Sequence, residues 1–161
     1  MAHRFYVTIH GSTQGVIKGQ GSGREKDKIP GVAFSYGVER PVDAASGVPS
    51  GKRQHKPVVI TKEWGAASPE LYQAIVTNEV LKSVLCEFVS VNALGVEEVT
   101  FTVELTNATI VGFDGSVQLG EKDGPVVDTR ELERIEFEFQ RITVTSVTGG
   151  TTAIDDWEVG A

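Results

Sequence analysis

Glu98-Val99-Thr100-Phe101-Thr102-Val103-Glu104-Leu105 alternates polar and apolar residues without a break. Successive side chains of an extended chain point to opposite faces. The stretch therefore reads as a strand with Val99, Phe101, Val103 and Leu105 turned to a core, and Glu98, Thr100, Thr102 and Glu104 turned to solvent or to a lumen. The same period of two recurs in Phe5, Val7 and Ile9 and in Phe34, Tyr36 and Val38. Val84 to Val91 is apolar at both parities, which predicts a central strand. The expected fold class is mainly β: an antiparallel β-barrel or two-sheet sandwich with one short α-helix packed outside.

Leu132 to Val147 carries a fault in this period. Ile135, Phe137 and Phe139 share one phase, whereas Ile142 and Val144 fall in the other. The switch at Gln140-Arg141 lacks the Gly or Asn of a tight hairpin, so a bulge or bend inside one long strand is expected, letting that strand serve two walls of a barrel. The one helix begins at Ser68-Pro69-Glu70, with Ser68 as N-cap, Pro69 at the first helical position and Glu70 at the positive end of the dipole. Leu71, Ala74, Ile75 and Asn78 form its stripe, Tyr72 and Val76 lie beside it, and it should stop near Asn78-Glu79. Turns are expected at Gly11–Gly23, Asp114-Gly115, Gly120–Pro125 and Gly149-Gly150. The longest irregular stretch, from about Arg40 to Lys56, has the length of a functional loop.

At 161 residues the chain fits one domain, residues 1–161. No apolar run has the roughly 18–20 residues of a membrane-spanning helix, and no membrane insertion is expected. Met1-Ala2-His3-Arg4-Phe5-Tyr6-Val7 has no secretory h-region and starts as strand-like sequence, so export by a signal-peptide route is not expected. The lone cysteine, Cys86, sits in strand-like Val84-Leu85-Cys86-Glu87-Phe88 and reads as a reduced core residue. The net charge of −7 is unevenly spread: residues 1–62 hold ten Lys/Arg against four Asp/Glu, and residues 63–161 hold five against eighteen. Such asymmetry between halves marks either a basic arm for nucleic acid or a fold whose faces differ in charge, and the second is the expectation here.

Signals for catalysis or cofactors are absent from the sequence. His3, His10 and His55 have no ligand spacing with Cys, Asp or Glu, so no metal is expected. No nucleophile elbow surrounds any serine, and Gly19-Gln20-Gly21-Ser22-Gly23 lacks the Lys-Ser/Thr of a phosphate loop. Asp155-Asp156 reads as surface charge, and Asn107-Ala108-Thr109 fits a glycosylation sequon without the secretory route to use it. Lys52, Arg53 and Lys56 form the one basic cluster; without interleaved aromatics it does not argue for nucleic acid.

That cluster lies in Ser50-Gly51-Lys52-Arg53-Gln54-His55-Lys56-Pro57-Val58-Val59-Ile60-Thr61-Lys62-Glu63, a basic Gly/Pro-punctuated loop running into a strand, followed by the helix entry Ser68-Pro69. This order resembles the Hcp family, the haemolysin-coregulated proteins of bacterial type VI secretion systems. Glu39-Arg40-Pro41, Phe137-Glu138-Phe139-Gln140-Arg141-Ile142-Thr143-Val144 and Gly149-Gly150-Thr151-Thr152 also look like the family. The resemblance implies a structural tube subunit with no enzymatic activity and no cofactor. Such subunits close into six-membered rings that stack into a hollow tube inside a contractile sheath, tipped by a spike protein, with small effector proteins carried in the lumen. It further implies a protein that resides in the bacterial cytoplasm and is then expelled. The expected ring-stacking contact is the loop from Val42 to Lys56, with Asp43, Lys52, Arg53, His55 and Lys56 as its candidate residues. One exposed ion pair contributes about 0.2–1 kcal/mol, so one pair per subunit gives a reversible sixfold contact of roughly 1–6 kcal/mol.

Two other readings compete. A monomeric soluble β-sandwich that binds a small ligand or carbohydrate would need exposed aromatic platforms, for which only Trp64 and Trp157 offer themselves. A secreted toxin would need catalytic sequence beyond the barrel pattern, and none is expected here.

Overall fold

The computed structural model describes residues 4–21, 26–117 and 130–157. The turn expected at Gly120–Pro125 and the end of that at Gly11–Gly23 lie outside them. Among the described residues, eleven strands and one helix follow in chain order: β1 Arg4–Gly11, β2 Gly15–Ile17, β3 Ile29–Pro30, β4 Ala33–Ser35, β5 Val38–Glu39, β6 Gln54–His55, β7 Val58–Glu63, α1 Ser68–Val76, β8 Leu81–Val91, β9 Glu97–Ser116, β10 Leu132–Ser146 and β11 Thr151–Asp156. The strands pair antiparallel in the order β2-β1-β8-β9-β10-β7-β4, with β11 added to β10 and β3 to β1. This is the mainly β fold with one short helix that the alternating sequence calls for.

The chain from Ile29 to Ser35 closes this sheet into a barrel. Its first part pairs with Tyr6 and Val7 of β1, and its second with Val59, Ile60 and Thr61 of β7. Between them the Gly31 N–H donates to the Phe5 carbonyl at 3.0 Å and the Val32 N–H to the Thr61 carbonyl at 2.7 Å. Phe34 then stacks edge-on against Phe88, and Phe5 lies on Phe88, with ring centroids 5.0 and 5.1 Å apart. Gly31 must be glycine for a packing reason: a Cβ there would stand 2.0 Å from the Phe5 ring.

Long strands β9 and β10 run through both walls. On one wall, rows of core residues cross four strands: Ile9, Val84, Leu105 and Ile142, then Val7, Cys86, Val103 and Val144. On the other, Ala108 and Ile110 lie opposite Phe139 and Phe137, and β7 adds Val58 and Ile60. The change of face falls at Gln140-Arg141, as the phase fault requires. Its partner is Asn107, whose φ of +50° lies in the left-handed region and whose amide donates to Gln140 at 2.9 Å. A separate register shift, at Val111 between Ile110 and Gly112, adds a bulge. Asp114-Gly115 is a correction: it forms no turn but stays within β9, paired with Arg134 and Glu133.

Strand β8 lies between β1 and β9, the central position its composition suggests, and Cys86 is buried there with its thiol pushed up to about 12 by desolvation. Glu79 sits beneath the turn that follows β1. It accepts the Thr13 and Gln14 N–H groups at 3.1 Å each, and these bonds hold its carboxyl below the usual range against the upward push of burial. Helix α1 packs outside the ring of strands, burying Leu71 and Ala74 and leaving Tyr72 and Val76 exposed. Its stop is set by Asn78, in the left-handed conformation at φ +53°.

Ser68 does not cap the helix by its side chain. Ala67 holds the N-cap position, and the Ser68 hydroxyl joins a buried cluster instead. It accepts hydrogen bonds from Lys62 Nζ at 3.1 Å and the Gly65 N–H at 2.9 Å, and donates to Glu133 at 2.7 Å. Lys62 and Glu133 form an ion pair, each about 2% exposed, at core-facing positions of β7 and β10. Burying two charges costs several kcal/mol each, which their attraction repays only when every remaining donor and acceptor is filled. Here Ser68 and the Glu63 carbonyl, 3.0 Å from Lys62 Nζ, take the lysine's two remaining N–H groups, and the Ser68 hydroxyl gives Glu133 Oε1 a second bond.

Removing one partner therefore exposes the full cost of the other. Glu133→Ala should destabilise the fold by about 3–5 kcal/mol, while the double change Lys62→Met/Glu133→Leu should recover most of the loss. Urea unfolding monitored by circular dichroism measures both. Gly31→Ala should cost about 1–3 kcal/mol through the Phe5 overlap, and an unchanged midpoint for it would refute the closure contact.

Candidate functional site: the arm and its anchor

Residues 38–55 leave the barrel as a hairpin arm. Val38 and Glu39 pair with His55 and Gln54 at its root, and Val42 lies opposite Pro49 farther out. Asp43 closes the tip: its N–H donates to the Val48 carbonyl at 2.9 Å, its carbonyl accepts from Gly47 at 2.8 Å, and its carboxylate accepts from Ala45 at 2.9 Å. Gly47 and Gly51, at φ +69° and +79°, supply the left-handed backbone these reversals need. Every residue from 41 to 50 is exposed.

The root is tied to β11 by charge. Asp155 accepts two hydrogen bonds from the Arg53 guanidinium, at 2.8 and 2.7 Å, and lies 2.5 Å from His55 Nε2. Arg53 also donates to the Asp156 carbonyl at 2.9 Å, and the Asp156 carboxylate accepts from Arg141 at 3.2 Å. The Arg53 bonds, assisted by His55, hold the Asp155 carboxyl down at about 2 against the opposing effect of burial. The His55 ring stands edge-on to Phe139 and beside Trp157, with centroids 5.2 and 5.3 Å away. Burial raises Glu138 on β10, with His55 working in the opposite direction.

The five candidate residues thus divide into three groups. Arg53 and His55 grip the barrel, Asp43 shapes the tip, and Lys52 and Lys56 stand exposed with no carboxylate partner among the described residues. Asp155-Asp156 is not loose surface charge, since both carboxylates hold arginines. Sequence reasoning missed this anchor because Asp155 lies 102 residues from Arg53. The usable signal was two acids ending a short strand opposite an Arg-x-His pair.

The tryptophans do not form a shared platform. Trp64 donates its indole N–H to the Leu132 carbonyl, and the Trp157 N–H bonds to Gln140, eight residues along the same strand and so about 26 Å away. Among the described residues there is no cluster of His, Cys, Asp and Glu that could hold a metal, and no helix long and apolar enough to cross a membrane.

Residues 6–145 match the family described as "Type VI secretion system effector, Hcp". The chain is 33% identical to the "Major exported protein" of Pseudomonas aeruginosa, covering 98% of this chain and 96% of that one. A crystal structure of an Hcp protein superposes with a TM-score of 0.89 at 29% identity, covering 99% of this chain and 100% of the other. A mutant of the Hcp1 protein from E. coli EAEC 042 superposes with a TM-score of 0.85 at 27% identity, covering 97% and 99%.

The anchor predicts an acid response. A carboxyl held at about 2 rather than its ordinary 3.8 contributes stability that is complete above about pH 4 and lost as pH falls towards 2. In a Trp64→Phe background, Trp157 emission should stay constant from pH 7 to about 4 and change below it, with far-UV circular dichroism tracking the barrel separately. Asp155→Asn should show the altered emission already at pH 7. A wild-type transition centred near 3.8 would mean that Asp155 carries no such anchor.

Proposed function

The chain belongs to the Hcp family of type VI secretion proteins, and from that premise we propose that it is the tube subunit of such a machine. Copies close into six-membered rings, rings stack into a hollow tube within a contractile sheath, and a spike protein tips the tube. Sheath contraction expels it, with small effector proteins carried in the lumen. The protein acts as a building block and not as a catalyst; it waits in the bacterial cytoplasm and is then expelled.

The observation that carries this reading is agreement over the full barrel: a family match across residues 6–145 and a TM-score of 0.89 covering 99% of the chain. The arm supports it as well. A freestanding hairpin is marginally stable in water, and this one is anchored at its root while residues 41–50 are exposed throughout. Such a projection is suited to reach a neighbouring copy.

For stacking, Lys52 and Lys56 are the proposed cations, because each is exposed. Arg53 and His55 serve by holding the arm in position, with Asp43 setting its tip. A charge reversal at Arg53 would therefore release the arm as well as alter its charge, and it is a poor test of stacking.

Electron microscopy and light scattering of the purified protein should show annuli several times the 17.3 kDa monomer mass. Lys52→Glu/Lys56→Glu should leave annuli intact while abolishing tubes and secretion. A strictly monomeric protein at every concentration sinks the tube reading; normal tubes from the double variant sink only the stacking role of the two lysines.

A further inference from the structure

Strand β11 is built differently from the long strands of the barrel. β1, β7, β8, β9 and β10 each bury apolar side chains, whereas Thr151, Thr152, Ala153 and Ile154 are all exposed. The one buried residue of β11 is an acid, Asp156. A backbone ladder joins the strand to β10, from Arg141 opposite Asp156 to Ser146 opposite Thr151. The Trp157 N–H donates to the Gln140 carbonyl at 2.9 Å, and the alternation of an antiparallel ladder then gives the Asp155 and Ala153 N–H groups to Ile142 and Val144. Hydrogen bonds contribute little net stability in water, so a ladder with no apolar burial behind it is weak.

Between β11 and the root of the arm lies an open groove of about 200 Å³, with Tyr36 and Val38 lining it from the root and Ala153 and Ile154 from β11. Val38 is 56% and Ile154 64% exposed, so apolar packing does not close it. What crosses it is polar. Asp155 accepts from Arg53 and contacts His55, Arg53 reaches on to the Asp156 carbonyl, and the Trp157 ring lies beside His55. The root strands β5 and β6 have two residues each and, like β11, bury no apolar side chain. One set of bonds thus fixes two segments, neither of which is fixed by the core.

We propose that β11 and the arm root form one cooperative strap, latched by Asp155, that opens while the barrel stays folded. Segments with solvent-exposed backbone bonds and few buried apolar contacts are those that open locally. The coupling is reciprocal. Loss of β11 takes Asp155 away from Arg53 and His55 and frees the arm, and a displaced arm leaves β11 with its ladder to β10. An open strap bares the β10 edge from Arg141 to Ser146, with Ile142 and Val144 beside it. A partner that grips either segment therefore repositions the other. The device belongs to a single chain and stands apart from the tube-subunit reading.

Amide hydrogen exchange read by mass spectrometry tests it, on peptides covering β11, the arm root and β8. Wild type and variants are compared at a concentration where light scattering gives them the same mass, so that contacts between copies affect all alike. In the wild type, the ladder amides of β11 should exchange about a hundredfold or more faster than those of β8. Asp155→Asn keeps the side chain's shape but removes its charge. It should speed β11 and the arm root together, each about tenfold or more, and leave β8 unchanged. Ala153→Pro removes a ladder bond in the middle of β11, away from the latch, and should speed the arm root as well. Wild-type β11 as slow as β8 would overturn the strap, and so would unchanged rates in Asp155→Asn. Acceleration confined to one of the two segments in either variant would overturn their coupling. A β8 accelerated equally in Asp155→Asn would overturn independent opening. A strictly monomeric protein would sink the tube reading and leave this test intact.

Discussion

Two paired strands can change the face they turn to a core only if both change it at the same rung. Strands β9 and β10 meet this constraint at Asn107 and Gln140. On one side of that rung Leu105 faces Ile142 inside the barrel, and on the other Ala108 faces Phe139 inside it. A one-residue slip in either strand alone would turn an entire set of valines, isoleucines and phenylalanines to water. Asn107 makes the joint reversal possible because asparagine tolerates the left-handed backbone better than most residues, and its amide ties the turn to Gln140. Everything else attaches to this spine: β8 and β1 to one half, β7 and β4 to the other, and the chain from Ile29 to Ser35 joins the far edges.

A closed barrel still has ends, and the two ties at the helix side are polar. Lys62, Glu133 and Ser68 link β7, β10 and the start of α1, and Glu79 links the residue run after α1 to the turn after β1. Apolar contacts alone would let a nine-residue helix slide over the core, since dispersion is nondirectional. A buried ion pair braced by hydrogen bonds has one favoured geometry, and displacement leaves charge unpaired in a dry site. The helix is thus held in place by polar bonds whose net contribution to stability is small, while its own stripe, Leu71 and Ala74, supplies the burial.

The parts of this molecule legible in its sequence are those governed by a period. Alternation located β1, β9 and β10, a run apolar at both parities located β8, and the broken phase at Gln140-Arg141 located the bend, because a two-residue repeat makes a single slip visible. Local chemistry was a poorer guide. Asp114-Gly115 reads as a turn, yet tertiary pairing to Arg134 and Glu133 keeps it extended. Ser68 reads as a cap, yet Lys62 and Glu133 outbid the helix N-terminus for its hydroxyl. At the arm, the basic cluster was visible, but which of its cations stay in water was not. That is decided by Asp155, whose approach to Arg53 depends on the whole barrel having closed.

The arm shows why polar and apolar contacts fall where they do. Within one chain the Arg53–His55–Asp155 contact forms once, at folding, and its bidentate geometry fixes direction as well as distance. Farther out the contacts change in kind: Val42 lies opposite Pro49 and the Asp43 backbone bonds Val48 and Gly47, so the tip is shaped by local backbone bonds while its side chains stay exposed. Charge at the root sets the arm's direction because only a bonded, directional contact can fix an angle, and exposed apolar residues at the tip have none to offer.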